Sequence, residues 1–230
     1  MITKSSNKII KDNFDHWVFD LDNTLYDIKL GLFKKISERI TTYIVNYLKL
    51  PELEAKILQR EMYLKYGLTL RGLIVEKNID PDSFLNYVHD VSHPELKKDN
   101  ELKGLLKNLP GNKYVYTNAS YKHAENILLN LGIYDLFKKI IDIKDTNYIP
   151  KPDSRSYEIM KKKFDLNELN INRSILIEDT ISNLIPAKNL GMTTVWIENK
   201  LNYPNFKKNI KIVDYSFKNV KSFLRFIKND

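Results

Sequence analysis

From about residue 109 onward the apolar residues change period repeatedly, and this alternation restricts the architecture more than any other feature. Short apolar runs at Lys113–Thr117, Ile140–Ile143, Ser174–Glu178 and Thr193–Ile197 predict strands. The last is rich in β-branched residues, which suit a pleated surface. Between them, Ala119–Leu131, Ser154–Phe164 and Ile181–Leu190 carry helical spacing, and Gly132 and Gly191 stand where two of these helices would stop. Ile210–Val213 is expected to add an edge strand and Phe217–Ile227 a closing helix. Such alternation argues for a mostly parallel sheet covered by helices.

The first half of the chain reads differently. His16–Asp20 predicts one strand, with Trp17, Val18 and Phe19 as its buried run. From Leu30 the period becomes helical, through Leu32, Phe33, Ile36, Ile40, Tyr43, Ile44, Tyr47 and Leu48. Pro51 can open a second helix, with Leu53, Ile57, Leu58, Met62 and Leu64 on one face and Gly67 at its end. Gly72–Lys77 and Pro81–His89 predict two more. The expected fold is therefore α/β: a Rossmann-like, mostly parallel sheet core with helices on both faces, plus a helical cap inserted after the first strand. The core is placed at 1–29 and 109–230 and the cap at 30–108. At 230 residues and 43% hydrophobic, the chain can fill both. Ligands of open α/β sheets sit beyond the carboxyl ends of the strands, so an insert rooted there can act as a lid.

The chemistry-bearing residues fall at those same ends. Asp20 and Asp22 close the first strand two residues apart, and residues i and i+2 of a strand face the same way. Paired carboxylates repel, and a divalent cation such as Mg²⁺ suits their oxygens. Thr117 and Asn118 end a strand before a helix, where a hydroxyl and free N–H groups can meet an anion or simply cap the helix. Lys151 lies between Pro150 and Pro152, which stiffen its loop. Glu178 and Asp179 end another apolar strand, and both face one site only if the strand has become a loop by Asp179. Asn183 follows on the next helix and could support a metal through water.

Asp20-Leu21-Asp22-Asn23-Thr24, Thr117-Asn118, Lys151 and Glu178-Asp179 together resemble, in order, the four motifs of the haloacid dehalogenase-like (HAD) hydrolase superfamily. Tyr66-Gly67-Leu68-Thr69-Leu70-Arg71-Gly72-Leu73 and Tyr116-Thr117-Asn118-Ala119 further resemble its pyrimidine 5′-nucleotidase branch. The chain departs from that branch at Asn183, where a second acid would stand. The resemblance implies a Mg²⁺-dependent phosphomonoester hydrolase acting on nucleoside 5′-monophosphates. Asp20 would be the nucleophile that forms an aspartyl-phosphate. Asp22 would be the general acid and base, its pKa raised by its neighbour and by partial burial. Thr117, Asn118 and Lys151 would hold the phosphate. Asp20, the Asp22 backbone carbonyl and Asp179 would bind the metal, with Glu178 nearby and Asn183 acting through water. Tyr26 and Arg71 are the expected substrate contacts. Packing at the hinge and pairing with an acid within the cap are their structural alternatives. A sugar-phosphate phosphatase or phosphomutase, and a non-catalytic HAD-like binding protein, are the competing readings.

Composition removes other classes. The chain has no cysteine, which excludes disulfides, thiolate metal sites and a Cys nucleophile. Its net charge of +8 comes from lysines scattered along the whole length, which predicts a solvated surface and no nucleic-acid partner. A polar N-terminus and the lack of a long apolar segment predict a cytoplasmic protein with no membrane partner. The expected partner is a small phosphate ester, and the expected state is a monomer or weak homo-oligomer. The histidines are not spaced as a metal site. His123, on the helix after Thr117, reads as a surface or supporting residue, and Trp17 and Trp196 read as core.

Overall fold

The computed structural model describes residues 11–198 and 211–228. A six-stranded, wholly parallel sheet forms its centre. Its strands are β1 (His16–Phe19), β2 (Asn112–Tyr116), β3 (Lys139–Ile141), β4 (Ser174–Glu178), β5 (Thr193–Ile197) and β6 (Tyr215–Phe217), in the order β3-β2-β1-β4-β5-β6. The chain builds outward from β1 to β3 and then crosses to β4 on the other side. The strand order thus reverses beside β1, and a crevice opens where its end meets those of β2 and β4.

Between β1 and β2 lie α1 (Leu32–Leu48), α2 (Glu52–Tyr66), α3 (Thr69–Lys77), α4 (Pro81–Val88) and α5 (Asn100–Lys107). After β2 come α6 (Tyr121–Leu131), α7 (Ser154–Lys163), α8 (Ile181–Asn189) and α9 (Val220–Lys228). Side chains of a strand alternate between faces, and the core divides accordingly. Trp17, Phe19, Val115, Ile175, Ile177 and Val195 pack with α5, α6 and α9. Val18, Tyr114, Tyr116 and Leu176 pack on the opposite face with α7 and α8. Each sheet face is therefore covered, as an all-parallel sheet requires.

A third cluster belongs to the insert and draws on α1 to α4, through Tyr43, Ile44, Met62, Leu73 and Phe84. α5 is not part of it: Leu102, Leu105 and Leu106 lie in the sheet cluster with α9. Gly72 lets α3 press against α2, since a Cβ there would stand 2.7 Å from Met62 and 2.8 Å from Tyr66. At the end of α2, Gly67 adopts φ +76, the left-handed form that glycine takes without steric cost. This turn rests on the Pro150–Pro152 loop: a Cβ on Gly67 would lie 3.7 Å from the Lys151 carbonyl oxygen.

Several boundaries differ from expectation: α3 starts at Thr69 and not Gly72, β3 covers Lys139–Ile141 and not Ile140–Ile143, and two more differ near the end of the chain. The edge strand expected over 210–213 begins outside the described residues, and Lys211 and Ile212 form a turn; the edge strand is Tyr215–Phe217. The closing helix starts at Val220, after Asn219 has turned its side chain to the Ser222 N–H. No helix among the described residues is long and apolar enough to cross a membrane.

Candidate active site

Three neighbouring strand ends build the site. Asp20 follows β1, and its N–H still donates to the Ile177 carbonyl at 2.9 Å. Thr117 follows β2, with its N–H on the Ile141 carbonyl at 3.0 Å. β4 ends at Glu178, and Asp179 has left the strand, so both acids reach the same place. After Asp22 the chain turns sharply through Asn23, at φ 62, a conformation that asparagine tolerates better than most residues. Carboxylate oxygens of Asp20, Glu178 and Asp179 come within 4.8 Å of one another, and all three side chains are buried.

One ammonium stands among them. Lys151 Nζ donates to Asp20 Oδ1 at 2.7 Å, to Glu178 Oε2 at 2.7 Å and to the Tyr116 carbonyl at 2.9 Å. Its side chain is only 1% exposed. Burial works against the lysine's charge, but Asp20 and Glu178 outweigh it and hold the pKa above its ordinary value. Burial and the charge of Glu178 push Asp20 up to about 7, against the pull of Lys151. Burial, with Asp179 beside it, likewise pushes Glu178 up to about 7 despite Lys151. Three acids against one ammonium leave the cluster short of positive charge. Hard oxygen donors, burial and raised acid pKa values together fit a divalent cation such as Mg²⁺.

Asp22 is set apart from that cluster. Its Oδ1 accepts the Tyr26 hydroxyl at 2.5 Å and lies 2.9 Å from His123 Nε2. Burial alone would raise its pKa, but the contacts with His123 and Tyr26 outweigh it and hold the carboxyl down at about 2. This corrects the expected upward shift. The cause is two donors on one oxygen, both invisible when only the neighbouring carboxylate is considered.

Thr117 Oγ1 accepts the Ala119 N–H at 3.0 Å, which leaves its own hydrogen to donate. The Asn118 side chain clamps the lysine loop: its Oδ1 accepts the Lys151 N–H at 2.9 Å and its Nδ2 donates to the Lys151 carbonyl at 3.2 Å. Asn183 is buried in the first turn of α8 and lines the same cavity. That cavity is about 940 Å³ and lies between the strand ends and the insert. Asp20, Asp22, Thr117, Asn118, Lys151, Glu178 and Asp179 all line it.

Tyr26 and Arg71 are placed elsewhere. Tyr26 is buried with its hydroxyl on Asp22, and the charge of Arg71 acts on Asp153. Neither is among the residues lining the cavity. The insert wall is instead formed in part by Phe33 of α1 and by Arg60 and Tyr63 of α2. Arg60 makes no hydrogen bond or ion pair among the described residues. Burial, and then the charges of Asp179 and Glu178, raise the Tyr63 pKa. The i, i+3, i+4 and i+7 spacing of Lys56, Gln59, Arg60 and Tyr63 is the sequence signal that marks this face. His123 is buried and bound to Asp22, and no spacing rule pointed to it. Trp196 is half-buried and donates its indole N–H to the Asp179 carbonyl at 2.9 Å.

The sequence profile of the haloacid dehalogenase-like hydrolases matches residues 17–197. A curated relative, phosphate metabolism protein 8 of Saccharomyces cerevisiae, is 31% identical over 189 residues. That match spans 76% of this chain and 58% of the yeast protein, so the chain spans less than two thirds of its relative. A HAD phosphatase from Thermococcus onnurineus superposes with TM-score 0.60 at 16% identity, covering 94% of this chain and 98% of that one. The HAD-hydrolase YfnB from Bacillus subtilis, bound to magnesium, gives TM-score 0.59 at 15% identity over 93% and 98%. The L-2-haloacid dehalogenase of Xanthobacter autotrophicus with chloropropionic acid covalently bound gives 0.55 at 12% over 94% and 98%. At such identities the structural likeness is one of fold.

Proposed function

Because the chain belongs to the haloacid dehalogenase-like hydrolases, we propose that it hydrolyses small phosphate monoesters through an aspartyl-phosphate on Asp20, with nucleoside 5′-monophosphates as the preferred class. The observation that carries this is the division of the acids into two groups in one cavity. Asp20, Glu178 and Asp179 cluster around Lys151, while Asp22 is held away from them by His123 and Tyr26. A haloacid dehalogenase has no task for an acid/base at Asp22 or for a metal cluster, whereas phosphoryl transfer uses both. The yeast relative is a phosphate metabolism protein, which agrees with this choice.

In the reaction, an oxygen of Asp20 attacks phosphorus and the bond to the leaving oxygen breaks. His123 and Tyr26 hold Asp22 ionised in the free site, so it takes up a proton as the anionic phosphate enters beside it, and then gives that proton to the leaving oxygen. Asp22 then takes a proton from a water, whose oxygen attacks the phosphorus of the aspartyl-phosphate. The phosphorus–Asp20 bond breaks, and inorganic phosphate and free Asp20 result. Lys151 offsets charge on Asp20 and on the phosphoryl oxygens. The Thr117 hydroxyl and the Asn118 N–H bind the phosphoryl group. Mg²⁺, held by Asp20, Asp179 and the Asp22 carbonyl with Glu178 and Asn183 beside them, would supply electrostatic stabilisation of the transferring group. Helices α1 to α4 serve as the cap that excludes water. The nucleotide preference rests on the resemblance of the Tyr66–Leu73 run and on the cap wall, where the half-exposed rings of Phe33 and Tyr63 can stack on a base near the Arg60 guanidinium.

The test is a panel of phosphate esters assayed with Mg²⁺. Phosphate release from UMP, CMP or related nucleotides is expected to exceed release from sugar phosphates. The reverse order moves the assignment to a sugar-phosphate phosphatase. Asp20→Asn should lose roughly 10⁴-fold or more in kcat while keeping the fold, the scale on which losing a nucleophile acts. Full activity in that variant rules out the covalent route.

A further inference from the structure

The hold on Asp22 extends beyond the residues that the reaction uses. His123 stands in the first turn of α6, 1% exposed, with Nε2 2.9 Å from Asp22 Oδ1. Its ring stacks on that of His89, with centroids 4.5 Å apart and planes at 20°. His93 meets it edge-on at 5.7 Å. His89 ends α4, the last helix of the insert's own cluster, and His93 lies in the connection returning to the sheet. His89 also lines the cavity, and its Nδ1 lies 2.8 Å from Ser120 Oγ, the N-cap of α6. The imidazole on Asp22 is thus stacked against the far end of the insert.

Only one carboxylate oxygen is engaged. Both Tyr26 and His123 meet Oδ1, and Oδ2 makes no hydrogen bond among the described residues. Two donors on Oδ1 fix the rotation of the carboxyl group. Oδ2 is left as the oxygen that serves the cavity.

We propose that His123 is a positioning residue that presents Asp22 to the leaving group, and that the His89 ring ties this alignment to the seating of the insert. The proposal rests on the reading of Asp22 as general acid and base. A correctly placed general acid is worth about 10²–10⁴-fold, so partial loss of alignment should cost a fraction of that. The loss should depend on the leaving group, because a good one departs without a proton.

The experiment measures kcat/KM, which reports the step that expels the leaving group, for p-nitrophenyl phosphate and for UMP. Glucose 6-phosphate takes the place of UMP if the ester panel favours sugars. His123→Leu is expected to lower kcat/KM for the alkyl ester about 10–100-fold and for p-nitrophenyl phosphate less than about threefold. His123→Gln, which keeps a donor near the position of Nε2, should recover most of the loss. His89→Leu should show the same selectivity at about 3–10-fold, and it carries the test if His123→Leu does not fold. Equal losses on both esters in His123→Leu, or no recovery in His123→Gln, overturn the proposal. No selectivity in His89→Leu overturns the tie to the insert. Asp22→Asn separates the two levels of argument. If it is not selective for the alkyl ester, the reading of Asp22 itself fails. If it is selective and His123→Leu is not, only the role of His123 falls.

Discussion

Replacing Lys151 by methionine keeps the length of the buried side chain and removes its charge. In the native site that charge lies 2.7 Å from Asp20 and 2.7 Å from Glu178, with Asp179 in the same cluster. Removing one partner of a buried, hydrogen-bonded pair costs about 3–5 kcal/mol when the other charge stays buried. The acids have an escape, which is to take up protons. Asp20 and Glu178 have folded-state values of about 7, against ordinary values of 3.8 and 4.5. Between these limits the folded state holds protons that the unfolded chain has released, so stability falls as pH rises from about 4 towards 7. Without the ammonium both values move higher, and this decline extends further up the pH scale. Lys151 itself stays charged over the whole range, so the native curve has no opposing step from it. Lys151→Met should therefore lose about 3–5 kcal/mol at pH 8. At pH 5 both acids are neutral, and the loss should shrink to roughly 1–2 kcal/mol for hydrogen bonds left unmade. Urea unfolding of both proteins at the two pH values, without metal, measures this directly. A loss that is the same at pH 5 and pH 8 would refute the reasoning, because the ammonium would then not be offsetting ionised carboxylates.

Three further outcomes are expected. Mg²⁺ at about a hundred times its Kd should stabilise the protein by roughly 2.7 kcal/mol, and its affinity should weaken as pH falls below about 7, because Asp20 and Glu178 must give up protons to receive it; calorimetry in two buffers of different ionisation enthalpy counts those protons, and a count of zero at pH 6 contradicts the charge balance. Asn118→Ala removes both bonds that hold the Lys151 backbone and should cost about 1–2 kcal/mol in thermal unfolding, with kcat falling more than KM rises; an unchanged kcat would mean that the lysine loop needs no such clamp. Gly72→Ala places a methyl 2.7 Å from Met62 and should destabilise the packing of α2 on α3 by about 1–3 kcal/mol, seen as faster amide exchange in those helices than in the sheet.

Much of this site could be read from the chain because its acids stand at strand ends, where a change of apolar period marks the boundary. Asp20, Thr117 and Glu178 stand at such boundaries, and parallel pairing of β1 with β2 and β4 brings them side by side. The six strands and the helices on both faces follow from the same alternation, since every buried face must be covered. What escaped was set by contacts far apart in sequence. His123 meets Asp22 across 101 positions, and no local period encodes that meeting. α5 has the Leu102, Leu105 and Leu106 pattern of any amphipathic helix, and nothing within it says that it packs with α9 on the sheet. Residue type near a motif points to Tyr26 and Arg71, but the walls of the cavity depend on how α1 and α2 pack. The edge strand expected at Ile210–Val213 lies instead at Tyr215–Phe217, because an edge is buried on one side only and its weak apolar signal does not fix its position.

The two tryptophans of the chain give the site an optical reporter. Trp17 is wholly buried near the opposite end of the sheet, with its indole on the Pro110 carbonyl, and its emission should be indifferent to events at the acids. Trp196 grips the backbone of Asp179 and is only partly buried. Any ion that draws on that aspartate tugs the peptide to which the indole is tied. Fluorescence of the unlabelled protein should therefore follow cation loading in real time, and Trp17→Phe would leave that signal alone on a dark background.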